Sequence, residues 1–444
     1  MKINILMFAL FFSMQVFAQS NLLQTSFKFD FGDNKNENGF IHVMPSDSYN
    51  AQKRYGFDSN SKASLKKYSS KNKQHDNYIT SAKPIYFSVK LPEGNYNAKI
   101  VLGDKKGESV TTIKAENRRL LSEKTITAKG KFETVECTIH VRDSIIRTTG
   151  RSVKLKPREI SYLHWDDKLT FEFNNILPKV CSMEITPNTD AITVFLAGNS
   201  TVVDQAEEPW ASWGQMIPAF FQPKKICIAN YAESGETLKA FKGELRLEKI
   251  WSMAKPGDYL FIEFTHNDQK PGSNYLEPFT TYKQTLKEWI TEARKKNMIP
   301  VLVTSMHRRF FDSTNHITNT LGDYPEAMRQ TAKEENVTLI DLNAMSKILY
   351  EAWGPVESVK AFVQYPANTF PGQTKELKDN THFNAYGAYE LAKCIVKGIK
   401  ESNLPIKEYL KKDLTAIDPA HPDNVNEWSL PMSSFLSSKK PDGN

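Results

Sequence analysis

Two periodicities divide the chain. In residues 25–187 apolar side chains recur at every second position. Residues 26–31 alternate strictly, residues 85–91 and 169–173 almost as cleanly, and residues 96–102, 132–141 and 180–185 more weakly. Period two marks half-buried strands. Turn chemistry separates them at Pro92-Glu93-Gly94-Asn95, Gly103-Asp104 and Lys129-Gly130. No strong amphipathic helix interrupts the series, so an antiparallel β-sandwich is expected over 19–187. The polar stretch 58–77 reads as a long loop.

From Ile192 the pattern changes. Short apolar runs at 192–197, 226–229, 259–264, 299–303 and 337–340 alternate with segments of helical spacing at 237–254, 279–297, 323–336 and 384–400. Buried strands alternating with helices predict an α/β domain over 188–400, with a parallel sheet covered on both faces. Residues 401–444, rich in Pro, Ser, Lys and Asp, read as a surface-wrapping tail.

Composition narrows the class. The chain has 444 residues, 40% hydrophobic and 25% charged, a globular profile with room for two cores. Its formal charge of +7 includes no long Lys/Arg run, so no nucleic-acid partner is required. Cysteines 137, 181, 227 and 394 form no CxxC pair. They fit neither a disulfide scaffold nor a cysteine zinc site and read as buried free thiols. Lys2, an apolar run over 3–17 and the small residues before Gln19 predict a signal peptide at 1–18. That run is short for a membrane span, and no later segment is long and apolar enough for one. An exported protein, periplasmic or extracellular, with no membrane span in its mature chain is therefore expected. Oligomeric state is left open.

Ligands of open parallel sheets bind beyond the carboxyl ends of the strands. The residues expected there are Gly198-Asn199-Ser200-Thr201, Asn230-Tyr231-Ala232-Glu233-Ser234-Gly235-Glu236-Thr237, Thr265-His266-Asn267-Asp268 and Asp379-Asn380-Thr381-His382-Phe383. Together they suit acyl transfer. A serine needs a base, the base needs an orienting carboxylate, and the oxyanion needs donors. The expected catalytic residues are Ser200, His382 and Asp379, with Asp379 three residues before His382 at the start of the last helix, where both can face the serine. The expected oxyanion donors are the N–H groups of Ser200 and Gly235 and the side-chain amide of Asn267. Taken singly, each has a plainer reading as a helix cap, a turn glycine or a local polar contact. The chain carries no HExxH, no Walker loop, no GxGxxG after a strand and no Gly-x-Ser-x-Gly elbow, which argues against an α/β-hydrolase. Asp30, Asp33, Asn36 and Glu37 read as a solvated turn in preference to a calcium loop.

These four segments, in this order, resemble the GDSL/SGNH hydrolase family. Ala232 to Thr237, His266 to Lys270 and Thr381 to Ala388 look like its rhamnogalacturonan acetylesterase branch. The resemblance covers about half the chain. It implies a flavodoxin-like three-layer fold, Ser200 as nucleophile, His382 as base, Asp379 as orienting acid, and no metal or organic cofactor. The strand-rich half looks like a galactose-binding-like sandwich. Two positions depart from the family pattern. Asn199 replaces the aspartate of Gly-Asp-Ser and drops its charge. Thr265 replaces a glycine, and a β-branched residue resists unusual backbone angles, so a displaced Asn267 is expected.

The substrate implied is an acetylated polysaccharide, pectic rhamnogalacturonan first. Alternatives are xylan or another acetylated glycan, or a carbohydrate-binding protein whose hydrolase half is inactive. Trp210, His307 and Arg308 are the candidate substrate-binding residues. Trp210 and Trp213 read equally as core, and Arg308, Arg309 and Lys270 equally as solvated basic surface.

Overall fold

The computed structural model describes residues 24–31, 39–58, 61, 63–67, 77–435, 437 and 440–441. The leader expected at 1–18 lies outside the described residues, as do Asp33, Asn36 and Glu37.

The first half is a sandwich of two sheets. Its strands are β1 (Phe27–Asp30), β2 (Ile41–His42), β3 (Tyr55–Phe57), β4 (Ser64–Lys67), β5 (Asn77–Thr80), β6 (Ile85–Lys90), β7 (Gly94–Gly103), β8 (Ser109–Ala115), β9 (Arg119–Thr127), β10 (Phe132–Val141), β11 (Lys168–Asn174) and β12 (Val180–Pro187). One sheet runs β10-β7-β12-β1-β2, with β5 also on β12 and β4 on β5; the other runs β3-β6-β11-β8-β9. Pairing is antiparallel except between β1 and β2. The alternating side chains meet between the sheets, where Phe29, Phe31, Phe87, Ile100, Phe171 and Met183 are fully buried. Within the stretch expected to be a loop, Ser64–Lys67 pairs instead with Asn77–Thr80. The β8–β9 hairpin had no alternating signal. Its turn is made by Glu116 and Arg118 at positive φ, and buried Thr111, Thr112 and Lys114 interrupt the apolar pattern.

The second half is a parallel sheet in the order β14-β13-β15-β16-β17. Its strands are β13 (Ile192–Gly198), β14 (Ile226–Asn230), β15 (Tyr259–Glu263), β16 (Ile299–Val303) and β17 (Thr338–Ile340). This is the flavodoxin-like order, and its reversal point lies beside β13, where open sheets place their ligands. Two apolar clusters cover the two faces. The helices are α1 (Trp213–Met216), α2 (Leu238–Gly243), α3 (Arg246–Met253), α4 (Lys283–Lys295), α5 (Tyr324–Glu334), α6 (Leu342–Glu357) and α7 (Ala385–Glu401). The helix expected over 237–254 is two, because Leu245 takes a left-handed φ of 65° between them. α6 escaped the periodicity reading because Gly354 and Pro355 break its pattern near the end. A hairpin of β18 (Phe362–Tyr365) and β19 (Leu377–Phe383) precedes α7. Asp379 and His382 therefore stand on a strand, not in a helix start.

The last sandwich strand ends at Pro187 and the first parallel strand begins at Ile192. Packing does not stop there. Leu120 of β9 joins one cluster of the parallel-sheet half, and Val153 and Trp165 join the other. All four cysteines are buried and free. No helix among the described residues is long and apolar enough to cross a membrane.

Candidate active site

β13 ends at Gly198 and delivers Asn199, Ser200 and Thr201 to the sheet's carboxyl edge. A side chain at Gly198 would collide with Val202 at 2.5 Å, so the tight turn needs glycine. Ser200 is 1% exposed, and its carbonyl accepts a hydrogen bond from Gln205 Nε2 at 2.7 Å. Asn199 Oδ1 accepts from Thr201 N at 3.1 Å and Thr201 Oγ1 at 2.9 Å, bracing the turn. Beneath it lies buried Glu263, whose carboxylate meets Thr201 Oγ1 at 3.1 Å, Trp213 Nε1 at 3.2 Å and Ser305 Oγ. Asn199 supplies no charge, but a carboxylate still stands under the turn.

β14 delivers the second loop. Gly235 has φ of 84°, in the left-handed region that glycine favours. Neither the Gly235 N–H nor the Ser200 N–H has a hydrogen-bond partner among the described residues. Both are available to a ligand. The third loop follows β15. Asn267 Nδ2 donates to Glu236 O at 3.0 Å and its Oδ1 accepts from Lys270 Nζ at 3.0 Å. That fixes the amide's orientation and leaves one N–H free. Asp268 Oδ1 accepts from Leu238 N at 2.8 Å, tying this loop to the start of α2. Thr265 adopts no positive φ, and its hydroxyl is absorbed by Phe264 O and Tyr282.

The acid and base come from β19. His382 Nδ1 lies 2.7 Å from Asp379 Oδ2, both buried, while Asp379 Oδ1 accepts from Thr381 N at 2.8 Å and His382 N at 3.0 Å. Burial alone would raise the Asp379 carboxyl. The His382 hydrogen bond and charge, with the two N–H groups, outweigh it and hold the pKa at about 2. Ala211 N donates to Phe383 O at 2.8 Å, joining the loop after Ser200 to the strand carrying His382. No hydrogen bond joins Ser200 Oγ to the His382 ring among the described residues; such contacts often tighten only when substrate binds.

The depressed pKa of Asp379 has a consequence for stability. A carboxyl whose folded pKa lies below its unfolded value near 3.8 stabilises the fold above that value, and the contribution is lost as pH falls toward about 2. Urea midpoints measured from pH 5 to pH 2 should fall more steeply in the parent than in Asp379→Asn. Equal slopes would show that the pair contributes nothing.

The candidate binding residues separate. Trp210 is 2% exposed yet lines a cavity of about 190 Å³ with Gln205, Ser234, Tyr162, Arg158 and Lys440. Arg308 reaches Thr320 O at 3.2 Å and His266 O at 3.3 Å and senses the charge of Asp379. Lys440, from the tail, stands 3.6 Å from Asp379 Oδ2. Lys270 lies within reach of the charges of Arg308 and Lys440, and burial with that repulsion lowers its pKa. The backbone N–H of His307 donates to Ser346 Oγ, and burial with the charges of Lys347 and Arg329 pushes its ring down to about 4. Arg309 is committed to Ser358 Oγ, Asn380 Oδ1 and Pro355 O.

Glu263, an acid closing an apolar strand three residues before His266, is legible in the sequence, but not as a support of the serine turn. Lys440 and the segment around Arg158 are distant in sequence and left no local signal. Arg158 NH2 donates to Glu233 Oε1 at 2.7 Å and to Ser234 O at 2.8 Å.

A flavodoxin-like sheet with a serine loop at its switch point and an Asp-His pair on a returning strand is the frame of a three-layer ester hydrolase. The chain belongs to the GDSL-like lipase/acylhydrolase family, which it matches over residues 143–395. Residues 27–150 match the galactose-binding domain-like module of β-agarase/YXIM esterase-like proteins. Among curated relatives, the rhamnogalacturonan acetylesterase RhgT of Bacillus subtilis is 45% identical over 221 residues, covering 49% of this chain and 94% of that protein. The uncharacterized esterase YxiM of the same bacterium is 25% identical over 387 residues, 85% of this chain and 91% of its own. The crystal structure of YxiM covers 86% of this chain and 99% of its own at 24% identity, with a TM-score of 0.45.

Proposed function

We propose that this protein is an exported serine esterase that removes O-acetyl groups from pectic rhamnogalacturonan. The observation that carries the reading is the buried Asp379–His382 pair on β19, joined to the Ser200 loop through Ala211 and Phe383. Ser200 Oγ attacks the acetyl carbonyl, and His382 Nε2 takes its proton. Asp379 holds the Nδ1 proton and stabilises the imidazolium. The N–H groups of Ser200 and Gly235 and the Asn267 amide receive the oxyanion. His382 returns the proton to the departing sugar hydroxyl. Water then releases acetate from the acetyl-serine by the same path. Similarity to RhgT supports the acetyl group and the pectic backbone. The cluster of Lys270, Arg308 and Lys440 beside Asp379 supports an acidic polymer over neutral xylan, since guanidinium and ammonium groups pair with uronate carboxylates.

Acetate release from acetylated rhamnogalacturonan, acetylated xylan and an aryl acetate tests this. Release from rhamnogalacturonan should exceed release from xylan by at least roughly tenfold, a specificity of about 1.4 kcal/mol. Equal rates would remove the pectic assignment and leave a general acetylesterase. Binding without release would select the binding-protein alternative. Export is tested by the mature N-terminus, expected at Gln19.

A further inference from the structure

The peptide unit between Ser234 and Gly235 is held by two cations from the other half of the molecule. Lys156 Nζ donates to Ser234 O at 2.7 Å, and Arg158 NH2 donates to the same oxygen at 2.8 Å. Lys156 caps, and Arg158 lies within, a short 3-10 segment, Pro157–Ser161, in the connection from β10 to β11. That segment is itself anchored. Glu159, fully buried, accepts from Arg246 NH1 at 3.0 Å and NH2 at 2.5 Å, and from Trp165 Nε1 at 3.0 Å. Glu233 Oε1 fixes the Arg158 guanidinium, and Glu236 pairs with Lys156.

A trans peptide directs its carbonyl and its N–H to opposite sides. Pinning Ser234 O on the sandwich side therefore aims the Gly235 N–H away from it, where no described residue accepts it. Two charged donors on one carbonyl also draw electron density from the amide nitrogen, because hydrogen bonds in a chain polarise one another. Charge-assisted donors do so most strongly.

We infer that Lys156 and Arg158 are positioning residues of the esterase reaction, clamping and polarising the Ser234–Gly235 peptide so that the Gly235 N–H is a stronger oxyanion donor. The inference rests on the reading of Gly235 as such a donor. It gives the strand-rich half a part in catalysis, whether or not that half also binds glycan. Neither cation touches the substrate for this purpose. Both act through one peptide bond.

The test uses the full chain with Lys156→Met, Arg158→Gln and Arg158→Lys. Glutamine keeps a neutral donor, and lysine keeps the charge. Losing a whole oxyanion donor lowers kcat by about 10²–10³, so weakening one should lower kcat on an aryl acetate by roughly tenfold in Lys156→Met and Arg158→Gln. KM should stay within about twofold in Lys156→Met, which lies outside the cavity beside Trp210, since the interaction is made only in the transition state. Arg158→Lys should recover most of the loss. Labelling with carbonyl-¹³C serine and ¹⁵N-glycine isolates the Gly235 amide, because Ser-Gly occurs once in the chain. Its proton resonance should move upfield in both charge-removing variants. A Gly235 resonance unmoved in both overturns the inference even where kcat falls, because then no polarisation was present. Unchanged kcat in folded variants of an active parent overturns it as well. A parent inactive on every acetate ester fails the esterase reading instead, and the resonance still decides whether the clamp polarises the peptide.

Discussion

Ser200→Ala lowers kcat on an aryl acetate by on the order of 10⁵-fold or more, and His382→Ala by about as much. Groups that act as one unit are strongly non-additive, so the double variant should lose no more than either single one. The reason is chemical. Without the His382 ring the Ser200 hydroxyl keeps its proton and is a weak nucleophile, and without the hydroxyl the ring has no proton to take. Asp379→Asn should cost less, about 10⁴-fold, by releasing the ring from the tautomer that the 2.7 Å contact imposes. Burst and steady-state kinetics on all four proteins check this. Multiplicative losses in the Ser200 and His382 double variant would mean that the two residues act independently, and the mechanism would fall. KM should move little in any of them, since the three side chains are proposed to act in the transition state and not in binding.

How far this site was legible can be judged residue by residue. Ser200, Gly235 and Asn267 each follow an apolar run, so the rule that ligands lie beyond parallel strand ends was enough to collect them. His382 and Asp379 were gathered by the same logic with the local element wrong: they stand on β19, a short strand whose partner β18 has too few alternating positions to signal itself. Thr265 was expected to disturb Asn267, an argument about backbone angles that only the actual angle could decide. What the sequence hid was the contribution of distance. Lys156 and Arg158 precede Ser234 by 78 and 76 positions. Lys440 reaches Asp379 from the end of the chain. In the sequence all three are surface cations like dozens of others.

The same long-range wiring predicts the largest stability effect. Arg119 begins β9 and is 1% exposed, yet its guanidinium reaches Asp204 in the loop after Ser200, with Nε at 3.0 Å and NH2 at 2.8 Å from Oδ2. Its NH1 donates to His140 O at 3.1 Å, and Asp204 Oδ1 takes Asn230 Nδ2 at 2.8 Å. Arg119→Met removes one charge and leaves Asp204, 1% exposed, without its counter-ion. Breaking a buried pair from one side costs about 3–5 kcal/mol. Replacing both partners leaves no charge to bury, so Arg119→Met with Asp204→Leu should recover part of that loss. Urea unfolding of the parent, the single and the double variant measures it. A single-variant loss under about 1 kcal/mol would place the pair with exposed surface bridges. Because Leu120, next to Arg119, packs into a core of the parallel-sheet half, the two halves should also unfold together. Loss of esterase activity and loss of amide hydrogen-exchange protection in β6 and β7 of the sandwich should therefore share one midpoint, the mark of a single cooperative transition. A hydrolase half that outlasted the sandwich in urea would separate them. It would also remove the physical basis for a sandwich segment that tunes the oxyanion loop, since a clamp can polarise a peptide only while both of its jaws are held by the same fold.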